Sequence, residues 1–270
     1  MPQSELGQTR HLKSNVPHIS FSALKKWDFC PFYHKLSYID KIKIFRGNVY
    51  TAFGSALHET CEKLVLDESL DYDSVFDYAF KNEIEKLENT SEKDQLLIKE
   101  MKEQGKDLAA LLLAALKIKF PGYKVISAEE EIVEPIIELE YDYDYKGFLD
   151  LVIKTPDGKY HIIDWKSCSW GWNIEKKTDR ITTYQLTYYK NFFCAKHNID
   201  PKMVETHFGL LKRTATKNRI EIFRVSSGER KIKNALNILN KAVYNINNKN
   251  HPKNRLSCEK CEFHKTEWCP

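Results

Sequence analysis

The sequence contains no run of apolar residues that approaches the roughly 18 a membrane-spanning helix requires. Its first stretch, MPQSELGQTRHLKSN, has no apolar segment of the kind that forms the centre of a secretory signal peptide. Glycine and proline are scarce, at 10 and 9 among 270 residues, and there is no low-complexity linker or internal repeat. We therefore expect a cytoplasmic protein (host cytoplasm if the source is viral) with no membrane partner and a flexible arm over residues 1–17.

The chain has enough apolar residues, 42% of the total, to bury a large core. Its length fits one large α/β domain or two modest ones. The order of predicted elements indicates an α/β fold in which a central mixed β-sheet is flanked by helices. The expected helices cover 20–30, 51–66, 73–88, 93–119, 179–197 and 229–247, and the expected strands lie near 124–136, 145–154, 159–166, 204–211 and 218–225.

Aspartate is absent from the last part of the chain. Residues 201–270 carry 15 lysines and arginines against 6 glutamates, whereas the rest of the chain carries 27 basic and 32 acidic residues. A basic C-terminal region can follow a phosphate backbone, and Lys212 and Arg213 at a strand end are candidates for that contact. A solvated surface that is simply rich in lysine explains the same composition.

The segment KGFLDLVIKTPDGKYHIIDWKS, residues 146–167, predicts a β-hairpin with an aspartate in each strand. Its turn composition is typical of a type I turn closed by a glycine bulge, which pairs Thr155 with Lys159. A two-residue loop would instead place Asp150 opposite Ile163. The three-residue loop implies three further opposed pairs, which are Ile153–His161, Leu151–Ile163 and Asp150–Asp164.

Opposed carboxylates repel each other by a few tenths of a kcal/mol to about 1 kcal/mol, and a divalent cation between them would offset that repulsion. Lys166 follows Asp164 by two residues and should point to the same face of the sheet. Asp150, Asp164 and Lys166 therefore form a candidate site for Mg²⁺ or Mn²⁺, where the ammonium aligns a water and offsets negative charge at phosphorus. The alternative is a solvent-facing strand pair with ordinary polar positions.

Seven cysteines without a secretory signal argue against a disulfide scaffold. Three of them are scattered and are expected to be ordinary buried thiols, namely Cys61, Cys168 and Cys194. The other four are one early cysteine and a C-terminal trio, namely Cys30, Cys258, Cys261 and Cys269. The C-x-x-C pair with His264 nearby also fits a Cys₄ or Cys₃His zinc site.

Asp150 lies in the sequence GFLD, and Asp164 and Lys166 lie in the sequence DWK on the next predicted strand. These two sequences resemble two motifs of the PD-(D/E)XK nucleases. Three further motifs are similar to those of the RecB-like branch: GSALHE, YQLTYY and SFSALKKWDFCPFYH. One early cysteine with a C-terminal trio resembles the iron–sulfur-stapled nucleases, which include helicase-nuclease subunits and CRISPR-associated four-cysteine exonucleases. The spacing from Cys261 to Cys269 is longer than those nucleases usually have. The resemblance extends from about residue 18 to residue 270.

This resemblance implies a restriction-endonuclease-like core within a single nuclease domain over 18–270. The helical part would cover about 18–120, the sheet core about 121–247, and a cysteine-rich C-terminus 248–270. It also implies that a 4Fe-4S cluster ties this C-terminus to Cys30, with structural Zn²⁺ as the alternative.

The implied activity is that of a Mg²⁺- or Mn²⁺-dependent deoxyribonuclease. By analogy it would be an exonuclease that acts on DNA ends and favours single strands, with helicase, recombination or replication proteins as candidate partners. The alternatives are an endonuclease or RNase of the same fold, and a non-catalytic DNA-binding or adaptor protein.

The resemblance also implies a role for several individual residues of the site. The implied metal ligands are His58, Asp150, Asp164 and the carbonyl oxygen of Trp165. Lys166 would position the attacking water.

Other residues are expected around this centre. Gln185 and Tyr189 lie one helical turn apart and are expected to contact the scissile phosphate or the strand end. A glutamate of AEEE, such as Glu130, is expected to reach the site, although three adjacent candidates prevent a choice. Trp170 and Trp172 either stack on bases or pack within the protein.

Overall fold

A computed structural model of the protein describes residues 16–88, 90–137, 139 and 141–270. The predicted N-terminal arm lies outside the described residues, apart from its last two positions. The helices are α1 (Phe21–Phe29), α2 (Pro31–His34), α3 (Val49–Leu66), α4 (Tyr72–Glu85), α5 (Glu92–Lys119), α6 (Ile174–Thr178), α7 (Arg180–His197) and α8 (Glu229–Asn247). The strands are β1 (His18–Ser20), β2 (Lys124–Pro135), β3 (Asp144–Lys154), β4 (Tyr160–Cys168), β5 (Val204–Lys212) and β6 (Ile220–Val225).

Capping signals place several helix ends close to the predicted positions. The Ser20 hydroxyl accepts a hydrogen bond from the first turn of α1. At the start of α3, Asn48 and Thr51 exchange hydrogen bonds of 2.8 and 3.0 Å between side chain and backbone, which is a capping box. Pro121 and Gly122 follow the end of α5, and Gly122 has a φ of 71°, which favours glycine.

The strands form one mixed sheet in the order β1-β3-β4-β5-β6, and β2 also pairs with β3. β1 runs parallel to β3 and β4 runs parallel to β5, whereas the other pairs are antiparallel. The predicted mixed sheet flanked by helices is therefore confirmed. The sequence did not predict β1 or α6, because elements of three and five residues are too short to show a periodicity.

One edge of β3 is divided between two partners. β1 pairs with residues 144–146 and β4 pairs with residues 151–154 on that edge, while β2 follows the other edge from 144 to 154. Within the described ladders, residues 147–150 have no strand partner on the divided edge. The sheet therefore opens at Asp150, where a side chain and a backbone group can meet without a ladder hydrogen bond.

Helices cover both faces of the sheet. Apolar residues of α1, α7 and α8 pack on one face around Val152, Ile162 and Phe208. Apolar residues of α3, α4 and α5 pack on the other face around Ile163 and Trp165. Because both faces are covered, the central strands are apolar almost throughout, and a buried carboxylate within them requires an explanation. Across the described part of the chain, no helix has the length and apolar character to span a bilayer.

Gly209 of β5 allows the large indole of Trp165 to lie flat beside its backbone. A Cβ atom at position 209 would lie 2.2 Å from Cε3 of Trp165, far inside van der Waals contact. We expect Gly209→Ala to lower the free energy of unfolding by about 1–3 kcal/mol, because the buried indole has no room to retreat. Urea denaturation followed by fluorescence measures this change.

The control for this substitution is Gly228→Ala, because nothing lies within 4 Å of a Cβ atom at that position. It should lower the free energy of unfolding by less than about 1 kcal/mol, which is the cost of alanine in place of glycine at the N-cap of α8. Equal unfolding midpoints for the two variants would contradict the close approach of Gly209 to the indole.

Candidate active site

The hairpin that carries the two aspartates has the predicted register. Thr155 N donates to Lys159 O at 2.9 Å, and Gly158 has a φ of 84°, as the three-residue loop requires. The predicted pairs Ile153–His161 and Leu151–Ile163 are both present in the ladder. Turn chemistry alone therefore fixed the alignment of β3 with β4 up to the point where the sheet opens.

The predicted direct opposition of Asp150 and Asp164 is not part of that ladder, which ends at Leu151–Ile163. Instead, Oδ2 of Asp150 accepts a hydrogen bond of 2.7 Å from the backbone N–H of Trp165. The cause is the divided edge of β3, which leaves the side chain of Asp150 free to bind the backbone of β4. The two acids still interact electrostatically, because Asp150 contributes to raising the pKa of Asp164.

Two further potential ligands meet Asp150 at this opening. Nδ1 of His58, from α3, lies 3.3 Å from Oδ2 of Asp150. Glu129, from β2, lies across from Asp150 between two ladder pairs, and its φ of 48° is the left-handed conformation that a glutamate rarely adopts. One ligand atom from each of His58, Glu129 and Asp150 lies within 4.8 Å of the others. An imidazole and two carboxylates at this spacing form a cradle suited to a divalent cation.

The electrostatics of these ligands reflect their crowding. Burial favours the neutral imidazole of His58, but its hydrogen bond to Asp150 and the charges of both aspartates raise its pKa overall. Burial, followed by the charge of Asp150, raises the pKa of Glu129. A bound cation would relieve the repulsion between these carboxylates.

Glu130, named from the sequence as an example from AEEE, points away from this cradle. Its carboxylate pairs with Lys196 at 2.7 Å and with His197 at 2.6 Å. Although burial opposes it, the hydrogen bonds from His197, Lys196 and Ser127 hold the pKa of Glu130 at about 2. Glu129 is the glutamate at the site, because its left-handed backbone turns its side chain toward Asp150; strand alternation in the sequence carries no signal for such a turn.

Asp164 is 1% exposed and is held by two side chains. Nζ of Lys166 lies 2.7 Å from its Oδ2, and Nε2 of Gln185 donates to its Oδ1 at 2.9 Å. Burial raises the pKa of Asp164, and the nearby Lys166 only partly opposes that shift. For Lys166, burial lowers the pKa, but the charges of Asp164 and Asp150 outweigh it and raise the pKa. Lys166 is therefore an ammonium ion near neutral pH.

Gln185 and Tyr189 of α7 are turned toward Asp164, and their expected contact with the scissile phosphate or the strand end stays a prediction. Nε2 of Gln185 also contacts the Tyr189 hydroxyl at 3.0 Å, and Tyr189 is only 6% exposed. Through the hydrogen bond of Gln185 to its Oδ1, these two side chains orient the carboxylate of Asp164.

Trp165 presents its backbone to the site and its side chain to the core. Its N–H binds Asp150, and its indole is buried among residues of α3 and α5. The ligand role of its carbonyl oxygen stays a prediction.

Two further lysines contribute positive charge near Lys25 of α1. The pKa of Lys25 is lowered by burial and then by the charges of Lys166 and Lys176, so both lie within electrostatic reach of Lys25. Such a group of cations favours an anionic ligand between them. Lys212, which the sequence suggested for a phosphate contact, is instead buried and paired with Glu221 at 3.3 Å.

Of the three other residues predicted to contact nucleic acid, two pack against the protein and one is exposed. Arg213 donates to Gln104 at 2.8 Å and lies over the ring of Tyr50 at 5.7 Å. Trp172 packs against Phe208, with the ring centroids 5.0 Å apart, so it belongs to the core. Trp170 is 73% exposed and remains available to a ligand.

The four cysteines at the two ends of the chain come together. Cys30, Cys258, Cys261 and Cys269 line one small cavity, and all are free thiols. Burial, and then the charges of the other three sulfurs, raises the pKa of Cys261, although a backbone hydrogen bond opposes the shift. Thiolates that repel one another in this way fit a cationic metal centre, which would offset the repulsion.

Hydrogen bonds also hold the C-terminal region against the first helices without any metal. Nδ2 of Asn254 and Oγ of Ser257 donate to the carbonyl of Phe29 at 2.9 and 2.7 Å. The Tyr33 hydroxyl donates to Glu262 at 2.7 Å. The staple predicted between the two ends of the chain therefore has the required proximity.

The comparisons with known proteins agree with this architecture. A family model described as the PD-(D/E)XK nuclease superfamily matches residues 18–270. The crystal structure of a protein named "Putative exonuclease", from Eubacterium rectale, is similar with a TM-score of 0.62 and 14% identity, over 97% of this chain and 96% of that one. At this identity the likeness concerns the fold alone.

A second solved structure, SSO0001, shares 15% identity over 90% of this chain and 92% of its own, with a TM-score of 0.38 that supports no further argument. Comparison with curated protein sequences gave no match.

Proposed function

The chain belongs to the PD-(D/E)XK nuclease superfamily, and from this premise we propose that it is a Mg²⁺- or Mn²⁺-dependent deoxyribonuclease. The observation that carries the proposal is the meeting of His58, Glu129 and Asp150 within 4.8 Å, beside the Asp164–Lys166 ion pair. A protein that only bound DNA would gain nothing from buried acids next to a phosphate.

In this proposal each residue of the site has a separate task. His58, Glu129 and Asp150, with Asp164 beside them, would hold the metal, which when bound lowers the pKa of water and polarises a phosphoryl oxygen. The Lys166 ammonium aligns the attacking water and offsets the charge that develops on the phosphoryl oxygens. Gln185, supported by Tyr189, fixes the orientation of Asp164 through its 2.9 Å hydrogen bond.

A basic aromatic groove supports a single-stranded substrate. This groove, with a volume of about 1230 Å³, is lined by five lysines and arginines against two glutamates. Lys43, Phe45 and Arg46 lie along it, and Phe45 is more than half exposed. Aromatic side chains among cations are typical of surfaces that stack bases and follow a phosphate backbone.

The groove adjoins the N-terminal end of α3, the helix that carries His58. The helix begins at Val49, three residues after the groove residue Arg46, and His58 follows nine residues later. At 1.5 Å per residue this separation along the helix axis is about 14 Å, which a strand of a few nucleotides can span. We propose that a single strand bound in the groove extends to the cradle.

A closed circular single strand and its linear form separate the two modes of cleavage. We expect the linear, end-labelled DNA to be degraded with Mg²⁺ or Mn²⁺ while the circle persists, because an exonuclease requires an end. Gel electrophoresis of both substrates over time measures this. Equal cleavage of the two would identify an endonuclease, and faster cleavage of matched RNA would identify an RNase. DNA binding without cleavage under either metal would favour the non-catalytic alternative.

Glu129 and Glu130 provide a matched pair for testing the cradle. We expect Glu129→Gln to raise the Mn²⁺ concentration needed for half-maximal cleavage by about 10- to 100-fold, because one negative ligand is lost. Glu130→Gln should leave this concentration unchanged, since its carboxylate is bound to Lys196 and His197. Metal titrations of cleavage would contradict the assignment if the two variants behaved alike.

In this proposal the four clustered cysteines are the ligands of a 4Fe-4S cluster. Their order in the chain, their common cavity and the all-thiolate donor set support it. Structural zinc, held by the four cysteines or by three of them with His264, is the alternative. Brown protein purified without oxygen that contains four irons would support the cluster, whereas colourless protein with one zinc would overturn it.

A further inference from the structure

A second cluster of potential metal ligands lies on the other face of the sheet from Asp164. His161 lies on β4, and Glu205 and His207 lie on β5. The parallel pairing of these strands sets His161 beside Glu205 and Ile163 beside His207, so the three side chains share one face. One ligand atom from each lies within 4.8 Å of the others. None of these residues takes part in the chemistry proposed above.

The donor atoms are spaced almost as one ion would require. Nδ1 of His161 lies 3.1 Å from Nε2 of His207 and 4.0 Å from Oε2 of Glu205. Ligands bound at about 2.0–2.1 Å to a tetrahedral Zn²⁺ stand about 3.3 Å apart. All three ligand atoms lie within 4.8 Å of one another, so a movement of the flexible glutamate side chain toward the imidazoles would complete the set.

The imidazoles are suited to binding a cation. Burial lowers the pKa of both histidines, which favours neutral rings that each have one lone-pair nitrogen. The facing Nδ1 of His161 and Nε2 of His207 share a hydrogen bond, so a bound ion would take the place of that proton and His207 would carry its proton on Nδ1. His207 is 3% exposed, and its Nδ1 has no hydrogen-bond partner within the described part of the chain. Oγ1 of Thr155 lies 3.0 Å from Nε2 of His161, and this contact would fix the tautomer that leaves Nδ1 free for a metal.

The surroundings leave one coordination position open. The cluster borders a cavity of about 430 Å³, which gives water access to the ligands. Phe120 packs against both imidazoles and covers one side of the site. Its ring centroid lies 4.8 Å from that of His161 and 5.1 Å from that of His207. Three protein ligands and a water make up the four positions that zinc commonly takes.

Positively charged side chains near the cluster oppose the binding of a metal ion. Lys159 lies 3.1 Å from Oε1 of Glu205, and Arg224 lies 3.5 Å from its Oε2. Lys119 also lowers the pKa of His207 through its charge. A metal on Oε2 would replace only the longer contact, that of Arg224, and could leave Lys159 in place.

We propose that His161, Glu205 and His207 form a second metal site, which binds Zn²⁺ and joins β4 to β5. Two imidazoles and one carboxylate favour zinc over the harder Mg²⁺ ion. The site does not depend on the proposed nuclease activity.

Crystals soaked in Zn²⁺ and measured at the zinc absorption edge test the proposal directly. We expect an anomalous peak between the two imidazoles and the glutamate, apart from any peak at the four cysteines or at Asp150. Absence of a peak at these three residues, with Zn²⁺ bound elsewhere in the same crystal, would overturn the proposal.

Measurement of Zn²⁺ binding in solution provides a second test, which does not require crystals. With Mg²⁺ present in excess, equilibrium dialysis of the full chain should show one Zn²⁺ fewer for His207→Gln than for the unaltered protein. Glu205→Gln is the milder variant, because this side chain is only half-buried and keeps its size, and it should weaken Zn²⁺ binding at this site by about 10-fold. Unchanged stoichiometry and affinity in both folded variants would overturn the proposal.

Discussion

Replacement of Asp164 by asparagine is expected to reduce DNA cleavage by about 10²- to 10⁴-fold. The change removes the charge that pairs with Lys166 at 2.7 Å and that lies beside the proposed metal cradle. Single-turnover cleavage of labelled DNA at saturating Mn²⁺ measures the loss. Lys166→Ala should cause a loss of similar size, because no other group described at the site is as well placed to align the water.

The stability of the Asp164→Asn variant separates a chemical role from a structural one. Burial raises the pKa of Asp164 above its ordinary value, so in the folded protein its ionised form is disfavoured relative to the unfolded chain. For a carboxyl group with a raised pKa, ionisation reduces stability as the pH rises through the ordinary pKa and toward the raised one. Near neutral pH the asparagine removes this cost, but it also removes the charged partner of the Lys166 ammonium, so the two effects oppose each other and the variant should stay folded. A loss of cleavage no larger than the loss of folded protein would contradict this account.

The control for this prediction is Asp107→Asn. Asp107 lies on α5, is largely exposed and pairs with Arg219 at 2.8 Å. An exposed ion pair of this kind contributes about 0–1 kcal/mol, so the variant should retain both activity and stability. If it lost as much cleavage as Asp164→Asn, the loss would reflect charge in general rather than the site.

Cys30→Ser is expected to have the largest effect on stability. A metal centre that joins Cys30 to the C-terminal trio closes a loop of about 230 residues, and loss of such a cross-link costs about 5 kcal/mol in the chain-entropy account. The hydrogen bonds of Asn254, Ser257 and Tyr33 remain, so the measured change should be somewhat smaller. Thermal unfolding and metal analysis of the same sample measure the two consequences together.

Cys168→Ser is the matched control, because this half-buried thiol lies on β4, away from the cysteine cavity. It should retain the metal content of the unaltered protein and unfold at nearly the same temperature. If Cys30→Ser also kept its metal and its unfolding temperature, Cys30 would not be a ligand.

The longer elements followed directly from the sequence. The helix over 229–247 has the predicted bounds, and those over 51–66 and 93–119 differ by only a few residues. Apolar spacing and capping residues act over a few positions, so they can be recognised without the rest of the fold. β1 was not predicted, because its three residues form a strand only through pairing with β3.

The site was less fully predictable. Its acids, lysine and histidine were identified from motifs, but Glu130 was named as the example where Glu129 lies at the cradle. Gln185 contacts Asp164 and Tyr189, which the sequence did not indicate, while their contacts with substrate stay a prediction. The cluster of His161, Glu205 and His207 carried no sequence signal, because His161 lies 46 positions before His207, on a different strand.

Local sequence was sufficient for the types of element, the hairpin register as far as Leu151–Ile163, and the set of ionisable groups that the strands carry. These depend on turn chemistry and on the periodicity of neighbouring residues. Three features depend instead on the packed fold, namely where the sheet opens, which glutamate turns toward Asp150, and how deeply Asp164 is buried. Those outcomes depend on partners far away in the chain, since the sharing of the β3 edge and the packing of α7 exist only after the strands and helices have come together.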